Sequence, residues 1–153
     1  MQRNRTMPDD VLVPVLAYPS VSEAVVWLTK AFGFTFRWQI EDHRAHLGIG
    51  ENAAIAITHG SLPTGGSDHV MVRVSDVDAH RARAAAAGAA VEEAEDHFYG
   101  ERQYTATDLA GRMWVFSQSI ADLDPADWAH DPPDISQRAH RARKPTGYGR
   151  SWL

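Results

Sequence analysis

The sequence predicts an α+β fold made of two βαβββ modules. Short runs rich in Val, Ile and Ala have the length and composition of strands. Two segments with helical character are each followed by a glycine, Gly33 and Gly88, as expected at a helix C-terminus. Residues 60–67 (GSLPTGGS) have the composition of a linker, and the order of elements repeats on either side of them. The organisation therefore repeats, although the residues do not.

The first module is predicted to span residues 11–59. Residues 11–17 (VLVPVLA) indicate a buried strand, in which Pro14 favours an edge position or a bulge. Ser20 or Ser22 is expected to cap a helix that Gly33 ends. Three short strand-like segments complete the module, at residues 34–40, 45–49 and 53–58.

The second module is predicted to span residues 68–118. Residues 69–74 alternate as a strand, and Ser75 or Asp76 is expected to cap an alanine-rich helix that stops before Gly88. Further strands are predicted at residues 90–94, 102–107 and 113–117. The flanking segments are interpreted as a flexible leader, 1–10, and a C-terminal extension, 119–153, with a short helix at 122–128, Trp128 pinned to the body, and a weakly ordered tail.

Composition excludes several classes of function. The chain has no cysteine, which excludes disulfides, thiolate metal ligands and cysteine nucleophiles. Its formal net charge is −5, which makes nucleic acid an unlikely partner even though five of its 15 Lys and Arg residues lie at positions 138–150. No apolar run is long enough to span a membrane, and residues 1–10 lack the apolar core of a signal peptide. A cytoplasmic location is therefore expected.

Three stretches resemble the vicinal-oxygen-chelate superfamily, which includes glyoxalase I, extradiol dioxygenases and bleomycin-resistance proteins. They are AVVWLTKAFGF (24–34), DHVMVRVSDVDAHRARAAAAGA (68–89) and YGERQYTATDLAGRMWVFSQ (99–118). The last is similar to the Y-G-x-R-x-Y … D-P-x-G-x-x-W-x-F ending of the bleomycin-resistance-like branch. The resemblance implies two modules whose strands form a curved mixed sheet, a half-barrel, around a cavity. It also implies a homodimer, possibly with exchanged modules.

The resemblance further implies where a metal would be held in the metal-dependent members. The matching positions here are Val13, Ala56, His69 and Val115, of which only His69 can bind a metal ion. We therefore expect a cavity that has no metal and no other cofactor.

The residues expected to bind a ligand lie on the strand faces that the resemblance turns toward the cavity. His69 and Arg73 would orient the ligand, although His69 could equally be a hydrogen-bonded residue at a strand start and Arg73 a partner in an ion pair. Aromatic side chains suit a flat ligand, with core packing as the alternative for each. The full expected set is Trp38, His46, Ala56, Thr58, His69, Met71, Arg73, Phe98, Tyr104, Val115 and Ser117, with Val15, Ala54 and Tyr99 beside them.

The function expected from these features is the binding of a small organic molecule, of the sequestration or antibiotic-resistance type. Glu101, Arg102 and Asp108 are interpreted as fixing a hairpin and a turn, so no catalytic residue is assigned. Two alternatives remain open. One is a lyase, isomerase or dioxygenase-type enzyme of the same superfamily, and the other is a regulatory subunit whose cavity is filled by side chains.

Overall fold

The structure is a computed structural model that describes residues 3–62 and 68–127. The described residues form two α-helices, α1 (Val21–Phe32) and α2 (Val77–Ala86), and nine strands. The strands of the first module are β1 (Val15–Tyr18), β2 (Thr35–Ile40), β3 (Arg44–Ile49) and β4 (Ala53–His59). Those of the second module are β5 (Val70–Arg73), β6 (Ala90–Val91), β7 (Glu95–Asp96), β8 (Glu101–Thr107) and β9 (Met113–Ser119).

Each module forms its own open sheet. The first has the order β1-β4-β3-β2, and the second has the order β5-β9-β8-β6, with β7 also paired to β8. The first and last strands of each module are parallel neighbours, and the other pairs are antiparallel. The α+β fold with two βαβββ modules is therefore confirmed, as two separate unclosed sheets. The strand predicted at 90–94 is divided into β6 and β7, which pair with different parts of β8.

The start of the first strand is predicted wrongly. Val11 and Leu12 are 98% and 80% exposed, and regular pairing begins only at Val15. Pro14 explains the late start, because its carbonyl accepts a bond of 2.9 Å from the Ala56 N–H but it has no N–H to return.

The helix ends follow the predicted signals. Ser20 caps α1 by accepting a hydrogen bond of 3.2 Å from the Glu23 N–H, and Asp76 caps α2 through the Ala79 N–H. Gly33 ends α1 with a φ of 74°, in the left-handed region. A Cβ at this position would also come within 2.9 Å of the Arg83 guanidinium. The left-handed conformation is the reason for glycine here, because the Arg83 guanidinium ends a flexible side chain that can move aside.

The two modules share one hydrophobic core between the helix-bearing faces of their sheets. Phe32, at the end of α1, packs edge-on against Phe34 of its own module and against Trp114 and Phe116 of β9. These three ring contacts have centroid separations of 4.9–5.6 Å. Such contacts add to the free energy gained by burying the rings.

Asp108 is a buried polar link between the modules. Its Oδ2 accepts hydrogen bonds from the Tyr18 hydroxyl at 2.6 Å and from the Trp114 indole N–H at 3.0 Å. Its Oδ1 accepts from the backbone N–H groups of Ala110 and Arg112, which holds the turn before β9. The expectation that Asp108 fixes this turn is thus met, and the same carboxylate also anchors β1.

Each sheet has a second face, directed away from the shared core, which we call its open face. Val15 lies on the open face of the first sheet and Met71 on that of the second, and each is 53% exposed. Other residues on the same faces, Ala56, His46 and Ser117, are buried. Each open face is therefore accessible only in part within one chain.

The chain divides into two compact units, residues 1–122 and 123–153. Of the second, the structure describes 123–127, which contain a single 3-10 turn, Pro125–Asp127, within the helix predicted at 122–128. The predicted docking of Trp128 and the weakly ordered tail lie outside the described residues. No helix in the described part of the chain is long and apolar enough to cross a membrane.

Candidate ligand-binding site

A row of four side chains crosses the open face of the first sheet. Val15 pairs with Ala56, Ala56 with His46, and His46 with Trp38, so all four point to the same side. Ala54 lies two residues before Ala56 and pairs with Gly48, which leaves a floor of small residues beside the larger ones. Thr58 follows on the same face of β4 and is half-buried. The predicted residues of this module are thus brought together.

Trp38 and His46 form a stacked pair. Their ring centroids are 4.2 Å apart with an angle of 23° between the planes. His46 is 1% exposed, and its Nδ1 has no hydrogen-bond partner among the described residues. Burial lowers the pKa of His46, and the nearby cations Arg44 and Arg37 lower it further. The ring is therefore neutral at pH 7, and its buried Nδ1 lacks a partner among the described residues.

The open face of the second sheet carries the other predicted group. Met71 pairs with Val115 and Arg73 with Ser117, so these four side chains share one side of the sheet. His69 comes directly before β5 and is exposed. The alternation along these strands was predicted, and it places the polar groups toward the C-terminal ends of β5 and β9, with Met71 and Val115 before them.

A hydrogen-bond network on this face converges on Glu101. The hydroxyls of Ser117 and Ser119 donate to its two carboxylate oxygens at 2.7 and 2.6 Å. Arg73 in turn donates to the Ser119 hydroxyl at 2.9 Å, and the Gln103 amide donates to the Ser117 hydroxyl at 3.0 Å. The bonds from Ser119 and Ser117 lower the pKa of Glu101, as does the positive charge of Arg73.

Sequence reasoning placed Glu101 at a hairpin and missed its role on the open face. The signal that could have found it is strand alternation, since Glu101, Gln103 and Thr105 alternate with residues of the core. Arg73 contacts Glu101 only through Ser119, so the ion-pair alternative for Arg73 takes the form of a bridged pair.

Two aromatic residues that were predicted to bind the ligand lie away from the open faces. Tyr104 does not line the open face, because it pairs with Phe116 on the core side of β8 and is 2% exposed. Its hydroxyl lies 2.7 Å from Nδ1 of His80, whose Nε2 is 3.0 Å from the Phe32 carbonyl. Phe98 is 74% exposed in the loop before β8, with its ring against Tyr99. Core packing, the alternative left open for these aromatics, is what the structure shows for Tyr104.

A groove of about 950 Å³ lies between the modules, alongside β5 and the start of β4. It includes Met71, Arg73 and Ala54 from the predicted residues, and its floor contains Phe32 and Phe34. The Trp38–His46 stack, Val115 and Ser117 lie outside it. Only part of the predicted ligand-binding set therefore belongs to this groove.

Comparison with known proteins identifies the family. A model of the Glyoxalase/Bleomycin resistance protein/Dioxygenase superfamily matches residues 11–116, which include both modules. The chain belongs to this superfamily. None of the curated proteins compared with it matches its sequence.

Solved structures of the superfamily are similar to this chain. TioX from Micromonospora sp. ML1 is 32% identical over 74% of this chain and 98% of its own, with a TM-score of 0.60. The fosfomycin resistance protein FosX from Mesorhizobium loti shares the fold at 15% identity, covering 73% of this chain and 93% of its own, with a TM-score of 0.60. A glyoxalase/bleomycin resistance protein from Streptomyces sp. CB03234 is 20% identical over 70% of this chain and all of its own, with a TM-score of 0.56.

Three of the four positions that the sequence resemblance assigns to metal ligands carry aliphatic side chains. Val13, Ala56 and Val115 offer only carbon and hydrogen atoms, whereas a divalent cation needs several oxygen, nitrogen or sulfur ligands. Within residues 3–62 and 68–127, no group of three or more His, Asp or Glu side chains is placed to hold a metal ion. In place of that donor set, the two open faces carry an aromatic stack and a polar network.

Proposed function

We propose that this superfamily member binds a small organic molecule without a metal ion, as a sequestering or resistance-type protein. The observation that carries the proposal is the chemistry of the open faces. Hydrocarbon side chains stand at Ala56 and Val115, where relatives would hold a cation. Flat rings and hydrogen-bonding groups lie beside them, at the Trp38–His46 stack and around Glu101. Burial of an apolar ring with a few oriented polar contacts is the usual basis of such binding.

The alternative is an enzyme of the lyase, isomerase or dioxygenase type. Glu101 is the observation that favours it, because a carboxylate beside a ligand can take a proton. Its surroundings argue against that role, since two serine hydroxyls already donate to it and lower its pKa. A carboxylate whose proton affinity has been lowered is a weaker base at neutral pH.

Elemental analysis combined with a binding titration tests the proposal. Protein purified without chelator and then incubated with Ni²⁺, Zn²⁺, Mn²⁺ or Fe²⁺ is expected to retain much less than one equivalent of metal after gel filtration. The flat probe 1-naphthamide is expected to bind with the same affinity before and after treatment with EDTA. Tight retention of one metal per chain, together with loss of probe binding in EDTA, would contradict the metal-free proposal.

We further propose that a complete site needs two copies of the chain. Val15 and Met71 expose part of each open face in one chain, and the first sheet of one copy would cover the second sheet of another in a two-fold dimer. The exposed apolar residues Val11 and Leu12, next to β1, would be covered in the same assembly. The homodimer expected from the sequence then has a structural reason, because each copy supplies half of each site.

Mixed dimers test this arrangement directly. Trp38→Ala damages the first open face and Arg73→Ala the second, so each variant alone should lose tight binding of 1-naphthamide. In a heterodimer purified through two different tags, one site would combine both damaged faces and the other both intact ones. One intact site per dimer is expected, with the affinity of the unmodified protein. No recovered site, or a chain that light scattering finds monomeric, would refute the shared site.

A further inference from the structure

The N-terminal segment contacts the Trp38–His46 stack, and we call its residues 3–10 the strap. The Trp38 indole N–H donates a hydrogen bond of 2.8 Å to the backbone carbonyl of Thr6. A small turn presents this carbonyl, because the Thr6 N–H and hydroxyl both donate to the Asn4 side chain, at 3.1 and 2.8 Å. The Met7 N–H closes the turn on the Asn4 carbonyl at 3.1 Å. The strap therefore reaches the open face with a preformed hydrogen-bond acceptor.

Trp38, which donates this hydrogen bond, stacks on His46, whose Nδ1 has no hydrogen-bond partner among the described residues. His46 is 1% exposed, so this nitrogen is buried. A buried polar atom without a partner destabilises a protein, so it indicates a place where another molecule supplies the missing group. Ala56 beside it offers no polar atom and little bulk. The stack thus combines the ring of the half-buried Trp38 with a buried nitrogen that has no partner among the described residues.

We infer that the Trp38–His46 stack takes a flat aromatic ligand bearing a hydrogen-bond acceptor, and that the Thr6 carbonyl of the strap competes for the position of that acceptor. This inference rests on the proposed small-molecule function and specifies its ligand class and regulation. An indole N–H only donates, so whatever replaces the Thr6 carbonyl must accept. The face of the stack favours a planar ring over an aliphatic one.

Competition from the strap has a measurable consequence. The strap is part of the same chain, so its effective concentration at Trp38 is high and a ligand must displace it. A neutral hydrogen bond contributes a factor of about two to ten to an equilibrium constant. Removing the strap should therefore tighten the binding of an acceptor-bearing ligand by about two- to tenfold. A ligand without an acceptor stacks on the rings without using the indole N–H. Its affinity should therefore be the same with and without the strap.

Titration of three forms of the full chain and one truncated form tests the inference. 1-Naphthamide, which has a carbonyl, and 1-methylnaphthalene, which has none, serve as matched probes. A chain that begins at Val11 after its initiator Met should bind 1-naphthamide about two- to tenfold more tightly than the full chain. Asn4→Ala, which keeps the chain length but removes the acceptor that organises the turn, should shift the affinity in the same direction. Asp9→Ala, in the same strap, is the control and should leave it unchanged.

The indole N–H signal of Trp38 gives a second readout that does not depend on affinity. In a ¹⁵N–¹H spectrum, assigned with Trp38→Phe, this signal should shift both on truncation and on addition of 1-naphthamide. Equal or weaker binding of 1-naphthamide after truncation would overturn the inference and leave the proposed function standing. A Trp38 signal insensitive to truncation would overturn it as well. Absence of binding by every form, with a Trp38 signal that does respond to truncation, would instead count against small-molecule binding itself.

Discussion

Replacing Tyr18 by Phe tests the link between the two modules. Tyr18 is fully buried, and its hydroxyl donates to the Asp108 carboxylate at 2.6 Å. Burial raises the pKa of Tyr18, and the charge of Asp108 raises it further, so the hydroxyl remains a donor at all ordinary pH values. A buried hydrogen bond to a charged group contributes about 1.5–3 kcal/mol. Tyr18→Phe keeps the aromatic ring and its contact with Arg112. We therefore expect the free energy of unfolding to fall by about the contribution of this hydrogen bond and little more.

Tyr104→Phe is the matched control for this experiment. Tyr104 is also buried, but its hydroxyl pairs with the imidazole of His80, which is neutral at pH 7.5. Loss of a neutral hydrogen bond should cost about 0.5–1.5 kcal/mol. The free energy of unfolding of each variant can be measured with urea, on condition that the m-values agree. If Tyr18→Phe costs no more than Tyr104→Phe, Asp108 does not link the modules in the way described.

Two further predictions concern pH and the open face. Burial lowers the pKa of His80, so the unfolded chain takes up a proton below about pH 6.5 before the folded chain does. The stability present above pH 6.5 should therefore fall as the pH is lowered through the folded pKa, and urea titrations from pH 7.5 to 5 should show a smaller fall in His80→Gln. On the second open face, Val115→Trp should weaken 1-naphthamide binding more than tenfold in the same titrations by filling the space above β9. Val26→Trp, on an exposed position of α1, should not weaken it.

The parts of the fold that were predicted from the sequence have local causes. Ser20, Asp76 and Gly33 act within one helical turn of their own positions, so their effects can be read from neighbouring residues. The alternation of Met71 and Arg73 likewise follows from strand geometry alone. Elements that depend on pairing with distant residues were harder to predict from the sequence. The strand predicted at 90–94 is divided in two because its halves pair with separate parts of β8.

The site was predicted only in part, because several of its contacts also join residues that are distant in the sequence. Tyr104 was included in the ligand-binding set with core packing as the alternative, and its pairing with Phe116 places it in the core. The Glu101 network was missed because its members lie on three strands, and none of them alone indicates a function. The contact of Trp38 with Thr6 has no sequence signal at all, since the accepting atom is a backbone carbonyl.

The different chemistry of the two open faces restricts the ligand more than either face alone. The first supplies flat and small apolar groups around Trp38, whereas the second supplies a network whose hydrogen-bond donors lead toward Glu101. A ligand group that accepts from Arg73 can join this network without breaking it. One that donates to Ser119 must compete with Arg73, and loses a charge-assisted bond in doing so. Under the proposed function, a flat molecule with acceptors at both ends therefore suits the combined site better than a cationic one.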